Sequence, residues 1–150
     1  MKINVSLFIF YLSLFNIFCK EIPKINIFIE SLCYDTLEFI GGSFAKYLKN
    51  PSFKKLAKIK FIPKKDKKFI YKCQHGAKEC YGNKIINCAL SKLSYVKGLN
   101  FMFCFKSILY RDGFNIKKNV KKCMPNYKNY NDVLNCTRNK LGNYLQYLAS

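Results

Sequence analysis

The sequence predicts an α/β fold in which a small parallel sheet precedes a cysteine-rich helical part at about residues 73–148. The first observation is that two short β-branched segments flank a stretch with helical spacing. The second is that helical periodicity dominates the chain after the second of these segments. The third is the presence of eight cysteines in 150 residues, which is typical of a disulfide-bonded protein or a metal site. This length suits one domain.

The sheet is predicted from the first half of the chain. Residues 24–30, KINIFIE, alternate between apolar and polar positions and indicate a strand. Apolar residues then recur at helical spacing over residues 37–48, and the Asn-Pro pair at 50–51 is expected to end that helix. Residues 58–62, KIKFI, indicate a second strand that Pro63 stops. This order implies a right-handed crossover and therefore a parallel strand pair.

Helices are predicted for the rest of the chain, after a charged connector at residues 64–68. The periodicity places four of them at residues 77–95, 99–109, 116–123 and 133–148. A polar, tyrosine-rich stretch at residues 126–131 is expected to be a connector.

The N-terminus is interpreted as a signal peptide over residues 1–19. Lys2 precedes an apolar stretch of about 14 residues, which is shorter than the roughly 20 needed to span a bilayer. A cleaved signal predicts a secreted or endolysosomal protein with a domain at residues 20–150 and no membrane contact after cleavage. The alternative is an uncleaved anchor. Cleavage after Cys19 leaves seven cysteines, so six can pair and one thiol remains.

Cys33 follows the first predicted strand and opens the helix after it. A thiol there meets unpaired backbone N–H groups and the positive end of the helix dipole, which favour a thiolate. Thioredoxin-like redox proteins place a reactive cysteine in this way, normally within C-x-x-C. Here the four residues are CYDT, so that Thr36 stands at the second cysteine position. The alternative is an inert, half-buried cysteine.

A second motif lies at residues 73–88, CQHGAKECYGNKIINC. It resembles the signature C-Q-H-G-x2-E-C-x2-N-x4-C of the gamma-interferon-inducible lysosomal thiol reductase family. The eight fixed positions all match: Cys73, Gln74, His75, Gly76, Glu79, Cys80, Asn83 and Cys88. The segment FMFCFKS with Cys104, and the later Cys123 and Cys136, are also similar to the family's pattern. The resemblance covers about residues 24–148.

The resemblance implies a thioredoxin-like domain with a cysteine-rich helical insertion that reduces disulfides of protein substrates. It implies Cys33 as the nucleophile. Because Thr36 cannot resolve a mixed disulfide, an external thiol such as glutathione or cysteine is expected to do so, with no bound cofactor. Thr36 can still donate a hydrogen bond to the thiolate. The family's C-terminal strand pair has no counterpart after Leu148, so we expect a truncated gene model or a degenerate member with a two-stranded sheet.

The remaining signature residues are interpreted as structural. His75 has a functional alternative, which is to protonate the leaving thiolate. Its structural role would be to orient Gln74 and Gly76 by hydrogen bonds. The spacing of Cys73, His75, Cys80 and Cys88 could also supply zinc ligands, but it lacks paired C-x2-C knuckles, and a signal peptide favours disulfides. No metal is therefore expected.

Six cysteines are expected to form disulfides: Cys73, Cys80, Cys88, Cys104, Cys123 and Cys136. They allow about 15 pairings, which the sequence leaves open. A bridge from Cys80 to Cys88 is excluded if both lie on one helix, because eight residues then separate their Cα atoms by about 12 Å. Asn135 begins the sequon NCT and is a candidate glycosylation site.

Two other function classes stay open. One is a catalytically inactive, disulfide-stapled protein that binds partners. The other is a basic protein that binds anionic glycans, suggested by the net charge of +19. Only two of the 27 basic residues are arginine, the residue best suited to phosphate, so nucleic acid is not expected as a partner. The sequence does not indicate the oligomeric state.

Overall fold

The computed structural model describes residues 21–63, 73–112, 115–124 and 126–149. The predicted signal peptide and the charged connector at residues 64–68 lie outside these ranges. The described part contains two strands, β1 (Lys24–Ile29) and β2 (Lys58–Pro63). Three helices lie between the strands: α1 (Tyr34–Gly41), α2 (Ser43–Lys49) and α3 (Pro51–Leu56). Five helices follow β2: α4 (Ala77–Lys92), α5 (Tyr95–Asp112), α6 (Ile116–Cys123), α7 (Tyr127–Arg138) and α8 (Lys140–Leu148).

The two strands pair in parallel, which confirms the arrangement expected from the strand–helix–strand order. Ile27 of β1 is opposite Phe61 of β2 in the register. Ile29 and Phe61 are buried, whereas Phe28 is exposed on the other face of the sheet. The alternation seen in the sequence therefore separates a core face from an outer face.

The connection between the strands differs from the single helix predicted over residues 37–48. It breaks at Gly42, whose backbone leaves the helical region and where an added Cβ would lie 2.7 Å from the Glu38 carbonyl oxygen. Pro51 does not simply end a helix, because it also starts α3. Asn50 caps that helix by accepting a hydrogen bond from the Ser52 N–H at 2.8 Å. Proline is favourable at the first helical position, since its missing N–H would be unpaired there in any case.

The helical half also differs in its boundaries. The helix at residues 116–123 is confirmed as α6, but the connector predicted at residues 126–131 is wrong, because α7 begins at Tyr127. Asn126 caps α7 by accepting from the Asn129 N–H at 3.2 Å. The helix predicted at residues 133–148 is two helices, since Asn139 ends α7 and caps α8 through the Leu141 N–H at 3.0 Å.

Helix α4 lies at the centre of the core. It packs against α5, α7, α8 and β2. Its residues Ile85, Ile86 and Ala89 are fully buried, and Phe101 and Phe105 of α5 stack with ring centroids 5.2 Å apart. Ile29 and Phe61 of the sheet belong to the same buried cluster. One core thus joins the strand pair to the helical half. Within the described ranges, no helix combines the length and the apolar character that crossing a membrane requires.

Candidate active site

Cys33 lies at the point where β1 gives way to α1. It occupies the N-cap position of α1 in extended conformation, with φ −77° and ψ 123°. Its N–H donates to the Glu30 carbonyl oxygen at 3.3 Å. The side chain makes no capping hydrogen bond, and the thiol is free and partly exposed. The N–H groups of the first helical turn carry partial positive charge, and the Cys33 residue lies at that end of α1.

The signature segment holds the loop that precedes Cys33. The Ser31 N–H donates to the Asn83 side-chain oxygen at 2.7 Å, and the Ser31 hydroxyl donates to the Glu79 carbonyl oxygen at 3.0 Å. Both hydrogen bonds are buried. Since buried polar groups are costly when left unpaired, these bonds fix the backbone two residues before Cys33. Two signature residues of α4 therefore act on the position of the thiol.

Glu79 is fully buried and pairs with His75. The His75 Nδ1 lies 2.5 Å from Glu79 Oε2, and the His75 backbone N–H donates to Glu79 Oε1 at 3.3 Å. These contacts offset the cost of burying the carboxylate. The His75 ring is thus engaged with Glu79, whereas its predicted structural role was to orient Gln74 and Gly76.

Lys106, which was not predicted from the sequence as a site residue, lies near Cys33. Lys106 of α5 is only 2% exposed, and its ammonium donates to the Glu30 carbonyl oxygen at 2.6 Å. Burial lowers the pKa of the Lys106 ammonium to about 8, while the charges of Cys33, Glu79 and Glu30 act in the opposite direction. Lys106 and Cys33 line the same cavity of about 130 Å³, together with Ser31, Leu32, Leu37 and Leu109.

Sequence signals for the missed residues differ. Lys106 is the one charged residue in the largely apolar stretch LNFMFCFKSIL at residues 99–109, which makes it unusual without showing whether its ammonium is buried or reaches solvent. Ser31 carries no comparable signal, because its role depends on α4 lying next to the end of β1. Nothing in its local sequence reports that contact.

The other predicted site residues are placed as follows. Thr36 Oγ1 accepts a hydrogen bond from the Glu30 N–H at 3.5 Å, which ties the first turn of α1 back to the end of β1. Gln74 is exposed. Gly76 is the N-cap of α4 with φ +79°. Asn135 is exposed on α7 and is not among the residues that line the cavity at Cys33. Its glycosylation stays a prediction.

The six remaining cysteines of the described chain are paired. The bridges are Cys73–Cys80, Cys88–Cys136 and Cys104–Cys123, with Cα–Cα distances of 5.4, 5.8 and 5.6 Å. Cys80 and Cys88 lie on the same helix and pair elsewhere, as the helix geometry requires. Three members of the zinc set considered from the sequence are therefore oxidised and cannot bind a metal as thiolates.

Glu30, His75 and Glu79 form a group of side chains of the kind that can bind a metal ion. Potential ligand atoms of Glu30, His75 and Glu79 lie within 4.8 Å of one another. The Lys106 ammonium interacts electrostatically with both glutamates, and His75 already pairs with Glu79. A bound cation would face a fixed positive charge there. We therefore interpret the group as an ion-pair network that includes Lys106.

Comparison with known proteins gives one family. A family model described as gamma interferon inducible lysosomal thiol reductase matches residues 24–127. GILT-like protein 1 of Drosophila melanogaster is 26% identical over 140 residues, which cover 81% of this chain and 55% of that protein. The gamma-interferon-inducible lysosomal thiol reductase of Carassius auratus is 28% identical over 136 residues, which cover 82% of this chain and 50% of that protein. The chain thus spans about half the length of these curated relatives.

Proposed function

The chain belongs to the gamma interferon inducible lysosomal thiol reductase family, and on that premise we propose that it reduces disulfides of protein substrates through Cys33. The observation that carries this proposal is the contrast among its cysteines. Six are paired in disulfides, and Cys33 is the free thiol of the described chain, at a helix N-terminus and on a cavity. That is the placement a nucleophilic thiolate needs.

The proposed reaction uses one protein thiol and two external thiols. The Cys33 thiolate attacks a substrate disulfide, the S–S bond breaks, and one substrate sulfur leaves as a thiolate that takes up a proton. A first external thiol, such as glutathione or cysteine, displaces the substrate from Cys33 and becomes attached to it. A second external thiol removes the first as a low-molecular-weight disulfide and regenerates the Cys33 thiolate. The substrate gains two electrons, and the two external thiols lose them.

Thr36 is the reason for assigning resolution to an external thiol. It stands where a dithiol enzyme has its second cysteine, and its hydroxyl accepts from the Glu30 N–H. No bound cofactor is needed for this cycle. We further propose that β1, α1 and β2 form a thioredoxin-like core, supported by the parallel strand pair and the cysteine at the end of its first strand.

The location we propose is secreted or endolysosomal. It is supported by the name of the Carassius auratus relative, which describes that protein as lysosomal. The apolar N-terminal stretch of the sequence is the second support. Three disulfides are also typical of an oxidising compartment.

The test follows reduction of a disulfide-containing protein by the mature chain with and without glutathione. We expect turnover only with glutathione, and accumulation of a mixed disulfide on Cys33 without it. Cys33→Ser should abolish turnover, because the other six cysteines of the described ranges are paired. Thr36→Cys should supply a resolving thiol and release trapped substrate without glutathione.

The comparison with Cys33→Ser decides between catalysis and binding. Reductase activity that is unchanged in Cys33→Ser would refute the proposal. Binding of the substrate protein without any reduction, by wild type as well as by Thr36→Cys, would also refute it and would favour the inactive, disulfide-stapled binding protein. Retention of the fold in each variant is checked by circular dichroism.

A further inference from the structure

Lys106 is a buried cation in the apolar centre of α5. The residues around it in the helix include Met102, Phe105 and Leu109, all buried. Burying an ammonium is expensive unless it is paired or hydrogen-bonded. Its one hydrogen bond within the described residues goes to the Glu30 carbonyl oxygen. A solvent-exposed lysine would serve the fold at lower cost, so the position of this charge calls for a function.

The geometry brings the Lys106 ammonium close to Cys33. The Glu30 carbonyl oxygen accepts from Lys106 Nζ at 2.6 Å and from the Cys33 N–H at 3.3 Å. Two donors that share one acceptor are necessarily near each other. Both residues also line one cavity. Lys106 and Cys33 therefore border the same small cavity.

The charged groups around the ammonium come from three elements. Glu30 directly follows β1, Glu79 lies on α4, and Cys33 is the N-cap of α1. Glu79 is also paired with His75. The Lys106 pKa of about 8 means that the ammonium is charged at acid and neutral pH. Its charge is present below about pH 8 and is lost as the pH rises through that value.

We propose that Lys106 is a positioning residue for the reaction at Cys33, whose ammonium stabilises the thiolate electrostatically in a site that has no second cysteine. This inference rests on the proposed function for its purpose, but the charge coupling can be measured without any substrate. Opposite charges that lie close together favour each other's charged forms, and the attraction is stronger in a partly buried site than in bulk water. Lys106 would thus keep Cys33 reactive at acid pH, where free thiols are almost entirely protonated.

The main experiment measures the rate of Cys33 alkylation by iodoacetamide between pH 5 and pH 9. Lys106→Met removes the charge and keeps a similar shape. We expect the midpoint of its rate profile to move to higher pH, and alkylation at pH 5.5 to slow about tenfold, the effect of one nearby charge. Lys106→Arg should restore part of the rate. Lys97→Met is the matched control, because Lys97 is an exposed lysine of the same helix, and its profile should equal that of wild type.

A second measurement covers the case in which Lys106→Met fails to fold. The coupling is reciprocal, so removing the thiolate must act on the lysine. Cys33→Ser should therefore lower the titration midpoint of the Lys106 side chain, followed by NMR of isotope-labelled lysine and assigned through Lys106→Arg. Unchanged alkylation profiles in folded Lys106→Met, or an unchanged Lys106 midpoint in Cys33→Ser, would overturn the proposal. Either result can be obtained whether or not the protein reduces disulfides.

Discussion

Gly76 is the residue of the signature segment that adopts a positive φ. Its φ of +79° and ψ of −165° lie in a region that is essentially restricted to glycine. Its carbonyl oxygen accepts from the Glu79 and Cys80 N–H groups, which starts α4 and places Glu79. We expect Gly76→Ala to lower the free energy of unfolding by about 1–3 kcal/mol, measured by urea denaturation.

Gly41 provides the control for that substitution. It ends α1, its φ is not positive, and an added Cβ would meet nothing within 4 Å. Gly41→Ala should therefore be neutral or stabilising by up to about 1 kcal/mol, because alanine favours helix. Equal losses of stability in the two variants would show that the backbone conformation of Gly76 is not the cause.

Single residues also differ in how far the sequence could reveal them. Cys33 was predictable, because it follows a strand and opens a helix, and because the seven cysteines expected after signal cleavage leave one thiol unpaired. The role of Lys106 was not, because a lysine in an apolar helix can reach solvent from many positions. Its burial depends on α5 lying against the end of β1, a contact between residues 76 positions apart. The pairing of His75 with Glu79 was likewise not predicted, because it depends on how the turn before α4 folds against the first turn of that helix.

At the scale of elements, the sequence predicted the strands and α6 well and the helix junctions poorly. The strands carry β-branched alternation, which local patterns report directly. Two of the missed junctions are capped by asparagines: Asn126 begins the polar stretch that was predicted to be a connector, and Asn139 lies within continuous helical periodicity. Asn50 caps α3 in the same way. An asparagine inside such a pattern can lie within a helix or end it, and the choice depends on tertiary packing.

The contact between α4 and the loop after β1 yields a prediction for that element pair. Asn83→Ala removes the acceptor of the buried Ser31 N–H. We expect a loss of about 1–3 kcal/mol in the free energy of unfolding, because the N–H is then buried without a partner. We also expect the rate of Cys33 alkylation to change, because the loosened loop no longer holds Cys33 at the N-terminus of α1. The free energy of unfolding and the alkylation rate can be measured on one preparation.

Asn87 is a matched control one turn further along the same helix. Its side-chain nitrogen is buried and has no hydrogen-bond partner among the described residues. Asn87→Ala should therefore cost less than about 1 kcal/mol, since little hydrogen bonding is lost. If urea denaturation gave both alanine variants the same stability, the Asn83–Ser31 hydrogen bond would not be what holds the loop.

On the scale of the whole molecule, a small chain carries a large charge. A net charge of +19 on 150 residues opposes a compact state through self-repulsion. The three disulfides lie in the helical half, where they connect α4 to α7, α5 to α6, and the segment before α4 to that helix. Cross-links restrict the unfolded chain and so offset that repulsion. Cys33 takes part in none of these three disulfides.

The three bridges should contribute unequally, because the entropy removed from the unfolded chain grows with the length of the closed loop. Their sequence separations are 48 for Cys88–Cys136, 19 for Cys104–Cys123 and 7 for Cys73–Cys80. Replacing each pair by alanine should cost about 4, 3 and 2.5 kcal/mol respectively. The measurement is urea denaturation in a Cys33→Ser background, which prevents thiol exchange. A larger loss for the Cys73–Cys80 pair than for the Cys88–Cys136 pair would contradict loop length as the cause and would assign the stability to the network around Glu79.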